Sequence, residues 1–351
     1  MKNLGFWKNL KKPIFCLAPM ADVTDCAFRQ IINKYGKPDV FWTEFVSADG
    51  LAHREGREKL LIDLKFSKEE HPIIAQIFGS NAENMESTAR LCKELGFDGV
   101  DINMGCPDKA IEKQGCGAGM IKNIKSAREM IRAVKRGAGD LPVSVKTRIG
   151  YNKNEIETWI RELLEEDLAV LTVHLRTRKE MSDVPAHWEL MKRIIEIRDE
   201  MEKETLIIGN GDVVDIDDGR KKCAEAGCDG VMFGRAIFGN PFLFQKLEKA
   251  PLKKHENFLL KIFSVRRRHS SQGFSQGLSP TFGNKLSVLI EHTKLFEKLL
   301  GGIKSFDLMK KHYKAYVNGF DGAKELRMKL MEAENAEEVE KIIQENQKIL
   351  N

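Results

Sequence analysis

The sequence has no run of about 18 apolar residues free of charge, the length a membrane-spanning helix needs. It has no Cys-x-x-Cys pair. Its seven cysteines, at positions 16, 26, 92, 106, 116, 223 and 228, are odd in number and scattered, so neither a disulfide framework nor a zinc site is expected. No Gly-x-Gly-x-x-Gly follows the first apolar run, which argues against a doubly wound dinucleotide fold. Low-complexity tracts are missing too. The basic N-terminal stretch leads into Pro13-Ile14-Phe15-Cys16-Leu17-Ala18, which is too short for a signal-peptide core. These absences lead us to expect a cytoplasmic chain, with most cysteines acting as small buried hydrophobes.

What is present is ordinary in amount and uneven in placement. The 351 residues are 42% hydrophobic and 31% charged, as in globular proteins, and are enough for a large domain plus a smaller one. The net charge is +5, yet residues 251–330 hold 16 Lys or Arg against 6 Asp or Glu. That segment therefore carries +10 and the other 271 residues sum to −5. A polyanionic partner on the C-terminal part is the functional reading; a solvated helical face is the plain one.

Short apolar, β-rich runs recur over the first two-thirds: 14–18, 40–43, 73–78, 100–103, 143–146, 170–174, 206–209 and 231–233. They are continuous rather than alternating, as parallel strands covered on both faces should be. Amphipathic stretches at 81–95, 126–136, 155–164, 187–202 and 217–226 fall between them. Eight strands interleaved with helices predict a (β/α)8 TIM barrel. Pro19-Met20, Gln76, Asn103, Lys146, His174, Asn210 and Gly234-Arg235 fall at or just past strand ends, where a barrel builds its active site. Beyond Asn240-Pro241-Phe242 the pattern becomes helical, at 255–269, 285–300, 305–317, 323–331 and 336–349. A barrel over 1–245 and an all-helical domain over 250–351 are expected.

Among the strand-end residues Cys106 is the chemical candidate. In Asn103-Met104-Gly105-Cys106-Pro107 it sits on a sharp loop where a free thiol, with a pKa of about 8.5, is a usable acid. It would be a nucleophile if a histidine lowered that value, or simply a buried turn cysteine. Cys116, in the glycine-rich 114–120 segment, is the competing candidate. Asn210-Gly211-Asp212 and Gly234-Arg235 end the seventh and eighth strands, where barrels commonly hold a phosphate. Lys146, Arg148, His174 and Arg176 add cations at the fifth and sixth ends. Lys146 and Gln76 could serve the pyrimidine edge of a flavin. For His174 a satisfied core histidine is the plainer alternative, and Arg176 and Arg178 could instead contact RNA phosphates.

Taken together, these motifs resemble the tRNA-dihydrouridine synthase family. The matching segments are Ala18–Ala21 with Thr24-Asp25 and Phe28-Arg29, Gln76–Gly79, Asp101–Pro107, Val145–Arg148, His174–Thr177, Asn210–Asp212, and Gly234-Arg235 with Gly239-Asn240-Pro241. Glu291-His292 and Lys311-His312-Tyr313 extend the likeness into the tail. The resemblance implies FMN at the barrel mouth, recharged by NADPH or NADH, and reduction of the C5–C6 bond of uridines in tRNA. It places Pro19, Met20 and Ala21 along the flavin ring and Gln76 and Lys146 at its pyrimidine end. His174 would stand at the ring or ribityl chain, with Asn210, Gly211, Asp212, Gly234 and Arg235 on the phosphate. Cys106 would protonate C5, Asn103 would orient the uracil, and Arg178 would assist. A base inside folded RNA must be extruded to reach such a site, so a basic second domain fits, with Arg266, Arg267, Arg268, Lys310, Lys311 and Lys314 as candidate contacts. No obligate protein partner is expected. Two rivals are a small-molecule FMN pyrimidine oxidoreductase, which does not require the basic tail, and an RNA-binding barrel without catalysis.

Overall fold

A computed structural model of the chain describes residues 4–245 and 282–350. Eight strands form: β1 Ile14–Leu17, β2 Phe41–Ser47, β3 Ile73–Phe78, β4 Gly99–Met104, β5 Val143–Arg148, β6 Val170–His174, β7 Leu206–Asn210 and β8 Gly230–Phe233. Each pairs in parallel with its neighbours in the order β1-β8-β7-β6-β5-β4-β3-β2. A parallel bridge between Cys16 and Val40 closes the remaining seam, making the expected barrel. Around it run α1 Cys26–Gly36, α2 Ala48–Ala52, α3 Arg54–Leu61, α4 Ala82–Glu94, α5 Lys109–Lys113, α6 Ile124–Ala138, α7 Ile156–Leu164, α8 Met191–Glu200 and α9 Ile216–Ala226.

Two local differences from the sequence pattern have clear causes. β2 continues to Ser47 instead of stopping at Thr43, with a register shift between Trp42 and Phe45. Glu44 inside that irregularity reads as the end of an apolar strand, although it is itself 4% exposed. Helix α1 escapes the apolar periodicity but is set by its cap: the Asp25 carboxylate accepts the Ala27 and Phe28 N–H groups at 2.9 Å.

Strand alternation sorts the barrel's contents. Val100, Ile102, Val145, Val173 and Ile207 belong to the layer packed with the helices. Every second residue points the other way, into the barrel. At the bottom these are Ile14, Trp42, Ile74, Val170, Leu206 and Ile208, closed off by Trp7 from the 3-10 turn Gly5–Asn9. Higher up, the adjacent pairs Gln76/Asp101, Asp101/Ser144, Asn103/Lys146, Arg148/His174 and His174/Asn210 form a polar layer at the C-terminal mouth. An apolar floor under a polar top is how this sequence makes a barrel with a site.

The described C-terminal helices are α10 Phe282–Leu300, α11 Lys310–Tyr316, α12 Ala323–Glu332 and α13 Ala336–Leu350. The expected helix over 255–269 lies outside the described residues. Among these residues no helix is long and apolar enough to cross a membrane. The helical part docks on α1 through an aromatic cluster. Phe28 stacks on His292 at 4.9 Å between ring centroids and meets His312 at 4.7 Å, and the two histidines are 4.7 Å apart. Both are buried, and among the described residues neither nitrogen of His292, nor Nδ1 of His312, has a hydrogen-bond partner. Burial therefore holds both imidazoles neutral, pushing His312 down to about 3 and His292 well below its ordinary value.

This cluster makes folding sensitive to mild acid. Below pH ~6.5 unfolded histidines bind protons that the folded cluster refuses, so the stability present above that pH is lost as pH falls. Between pH 6 and 5 the two histidines should contribute a loss of about 2.4 kcal/mol, and His312→Phe should halve that part. Urea melts across this range measure it, and equal slopes in the two proteins would contradict the account.

Candidate active site

The polar layer contains one continuous row of hydrogen bonds. Asp101, with no exposed surface, accepts from Ser144 Oγ at 2.5 Å and from Gln76 Nε2 at 2.6 Å. Gln76 Oε1 in turn accepts from Asn103 Nδ2 at 3.2 Å. Asn103 Oδ1 then accepts the backbone N–H groups of Gly105 (3.1 Å) and Cys106 (2.9 Å). Because Asp101 accepts at one end, the orientation of both amides is fixed in sequence. Burial raises the Asp101 carboxyl to about 6, against the pull of Ser144, Gln76 and Lys146. The row ends on the loop that carries the thiol.

That loop is held from three further sides. The Arg148 guanidinium donates to Gly105 O at 2.8 Å and to the Thr177 and Met181 carbonyls at 3.0 Å, tying the loops after β4 and β6 together. Arg178 grips Glu112 on α5 through two hydrogen bonds, at 2.7 and 2.5 Å. Gly117, at φ +57°, lets the chain turn back against Cys106, where a Cβ would come within 2.6 Å of its carbonyl oxygen. Cys106 is the one cysteine of the seven that is not buried. Partial burial raises its pKa, so it is a protonated thiol at neutral pH. Cys116 is fully buried beside Phe78 and Ile111, and burial lifts it to about 11. Packing explains Cys116.

Beside this layer lies a cavity of about 750 Å³ with Pro19, Met20 and Met232 as apolar wall and Lys146, His174, Arg176, Asn210, Gly211, Asp212, Gly234 and Arg235 as polar wall. Lys146 donates to Asn210 Oδ1 at 3.2 Å, and Asn210 Nδ2 donates to Met232 O at 2.8 Å. Burial, then repulsion from Arg148, lowers Lys146 to about 8, which leaves it charged at pH 7. Arg176 Nη1 lies 3.1 Å from His174 Nε2. Guanidinium can only donate, so Nε2 accepts and the proton sits on Nδ1. Burial and the nearby Lys146, Arg148, Arg176 and Arg235 hold His174 well below its ordinary pKa. His174 therefore offers no imidazolium to activate a thiolate, which favours the acid role for Cys106 over the nucleophilic one.

Asp212 organises the far end. Its carboxylate binds Arg176 Nη2, Arg235 Nη2 at 2.8 Å and the Ala186 N–H at 2.9 Å, and these contacts, Arg176 first, lower its pKa. Gly211 has φ +123°, and a Cβ there would press on Ala186 and His174. Trp188 Nε1 donates to Gly211 O at 2.7 Å and its ring fills the space over Gly209. The cavity wall thus carries three cations, Lys146, Arg176 and Arg235, against one carboxylate. It is built to receive an anion.

The structure brings Pro19, Met20, Lys146, His174, Asn210, Gly211, Asp212, Gly234 and Arg235 to one cavity. Ala21 is exposed and Gln76 is buried, and neither belongs to that wall. Arg178 is engaged with Glu112, and Lys311 pairs with Asp22 at 2.9 Å. Arg266, Arg267 and Arg268 lie outside the described residues. Asp101 and Ser182 carried no separate signal. Alternation from Asn103 marks Asp101 as inward-facing, whereas Ser182 comes from an irregular loop.

Comparison with known proteins agrees with this geometry. The sequence profile of the Dihydrouridine synthase (Dus) family matches residues 16–351. A Staphylococcus aureus (strain Mu50) protein named as a probable tRNA-dihydrouridine synthase is 41% identical over 343 residues, spanning 97% of this chain and 95% of the relative. A Bacillus subtilis (strain 168) protein, named as probable tRNA-dihydrouridine synthase 2, is 39% identical over 341 residues with the same coverage. Among solved structures, a 2-naphthoyl-CoA reductase complex aligns with TM-score 0.50 at 13% identity, over 66% of this chain and 49% of its own, a likeness of fold alone. The chain belongs to the dihydrouridine synthase family.

Proposed function

We propose that this protein reduces the C5–C6 bond of uridines in tRNA, with FMN as its cofactor and NADPH or NADH as the reductant. The observation that carries the reading is a protonated, partly exposed thiol held by a fixed hydrogen-bond row beside an anion-receptive cavity, in a chain of this family.

The residues present fit FMN. Its flat ring needs an apolar slot, supplied by Pro19, Met20 and Met232, with Ala21 beyond the wall. Its phosphate needs close backbone approach and positive charge, which Gly211, Gly234 and Arg235 supply beside Asn210. Asp212 would act there by aiming Arg176 and Arg235, since an ionised carboxylate has no hydrogen to donate to a phosphate oxygen. Lys146 would stabilise negative charge on the pyrimidine end, and His174 would offer its Nδ1 proton as a neutral donor. Gln76, held by Asp101 and Asn103 beneath the wall, would have only its second Nε2 hydrogen to offer toward the same edge. When bound, FMN would supply a hydride from N5 to uracil C6.

The chain's own part in the reduction is the proton. Cys106 would give its thiol hydrogen to C5, and the raised pKa keeps that hydrogen in place until it is needed. Asn103 would set the loop and, with its second amide hydrogen, face the uracil. The basic C-terminal part would hold the RNA while the base is extruded, with Lys311 and the arginines at 266 and 267 as candidate contacts and Arg178 bracing the mouth.

Cys106→Ala should keep FMN and its reduction by NADPH while losing about 10²-fold or more in dihydrouridine formation. Anaerobic flavin bleaching at 450 nm and nucleoside mass spectrometry separate the two half-reactions; normal turnover would remove the thiol from the mechanism. Asn103→Ala should free the loop amides and speed alkylation of Cys106 by iodoacetamide several-fold in the cofactor-free protein. The other six cysteines are buried, so the label reports this site. An unchanged rate would mean the row does not hold the loop.

A further inference from the structure

The Ala18–Thr24 turn supplies Pro19 and Met20 to the cavity wall. Internally it is tied by Thr24, whose hydroxyl accepts the Met20 N–H at 2.9 Å, and by the Val23 and Thr24 N–H groups, which donate to Met20 O at 3.1 and 3.0 Å. Its ends are fastened to the barrel, with the Ala18 N–H donating to Phe233 O at 2.8 Å and Arg29 Nη1 donating to Thr24 O at 2.7 Å, which leaves the apex between them to be held. At its apex Asp22 adopts φ +56°, a left-handed conformation that needs support from outside.

The support comes from Glu44 of β2, backed by a lysine of the helical part. Asp22 N–H donates to one oxygen of the Glu44 carboxylate, and the other oxygen pairs with Lys304 Nζ at 2.7 Å. Lys304 stands in the turn after α10 and also pairs with Asp63 at 2.7 Å. The side chains of Glu44 and Lys304 are 5% and 14% exposed, so solvent screens this contact little. A second link, Lys311 to Asp22 at 2.9 Å, is half exposed and weaker. Glu44 sits at the irregularity in β2 that projects it toward this turn.

We propose that Lys304 is a positioning residue for the cofactor: through Glu44 it fixes the Asp22 amide, making the helical part a structural component of the FMN cavity. The inference rests on the reading that the cavity takes FMN. It implies that FMN binding and docking of the helical part are coupled, so that anything which shifts one shifts the other by the same factor.

The test uses the full chain with Lys304→Met and the double variant Lys304→Met/Glu44→Gln, which removes the buried carboxylate that Lys304 leaves unpaired at position 44. Both should lose about tenfold in FMN affinity by fluorescence titration. Both should show faster amide hydrogen exchange at residues 20–24 without FMN, and α1 and β5 should keep wild-type exchange. If the single variant does not fold, the double variant decides alone. A fall in melting temperature with unchanged FMN affinity and unchanged exchange at 20–24 would reduce Lys304 to a stabilising contact and overturn the proposal. Failure of the wild-type protein to bind FMN would instead sink the functional reading, and with it the cofactor role of Lys304, whatever the exchange shows.

Discussion

A carboxylate with no exposed surface, Asp101, sits in the barrel wall and accepts from Ser144 and Gln76. An acceptor buried in this way dictates which end of the next amide faces it, because an unpaired polar group there would cost several kcal/mol. Gln76 is thereby oriented, then Asn103, then the amides of Gly105 and Cys106. The loop carrying the thiol is thus set from inside the barrel rather than by its own sequence. Arg148 and the Arg178–Glu112 pair then fasten it from outside.

The charge distribution around this row follows from the same burial. Lys146 is depressed to about 8 and His174 is kept neutral because burial in the low-dielectric wall, and then the neighbouring cations, disfavour further positive charge. An anion entering the cavity relieves that strain and would raise Lys146 again. Asp212 holds two guanidinium groups at the rim, so the positive field is focused at one end of the cavity. The thiol lies in a different setting, where partial burial, with His174 neutral, keeps it protonated. One mouth therefore offers an anion-receptive end and an acid, two functions a reductase of a polarised double bond needs apart from each other.

Much of this was legible in the sequence because parallel strands announce themselves as buried runs, and because special residues recur at strand ends. Lys146, His174, Asn210 and Gly234 could be placed at one mouth without coordinates. The partners could not. That Asp212 would serve two arginines, or that Arg178 would pair with Glu112 66 residues away, depends on loop paths that periodicity does not encode. Glu44 was hidden for a related reason: a charge inside a strand looks like a strand's end until a lysine from the helical part is seen to meet it. His292 and His312, read only as family-like positions, prove to be packing residues in an aromatic contact between the two parts.

The central claim is that a fixed thiol beside an anion-receptive cavity adds hydrogen across a uridine double bond in tRNA. Its most direct measurement is nucleoside mass spectrometry of an unmodified tRNA transcript incubated with the wild-type protein, FMN and NADPH. The account predicts dihydrouridine in place of a small, defined set of uridines. Reduced flavin that returns to its oxidised form only with oxygen, leaving every uridine intact, would contradict it.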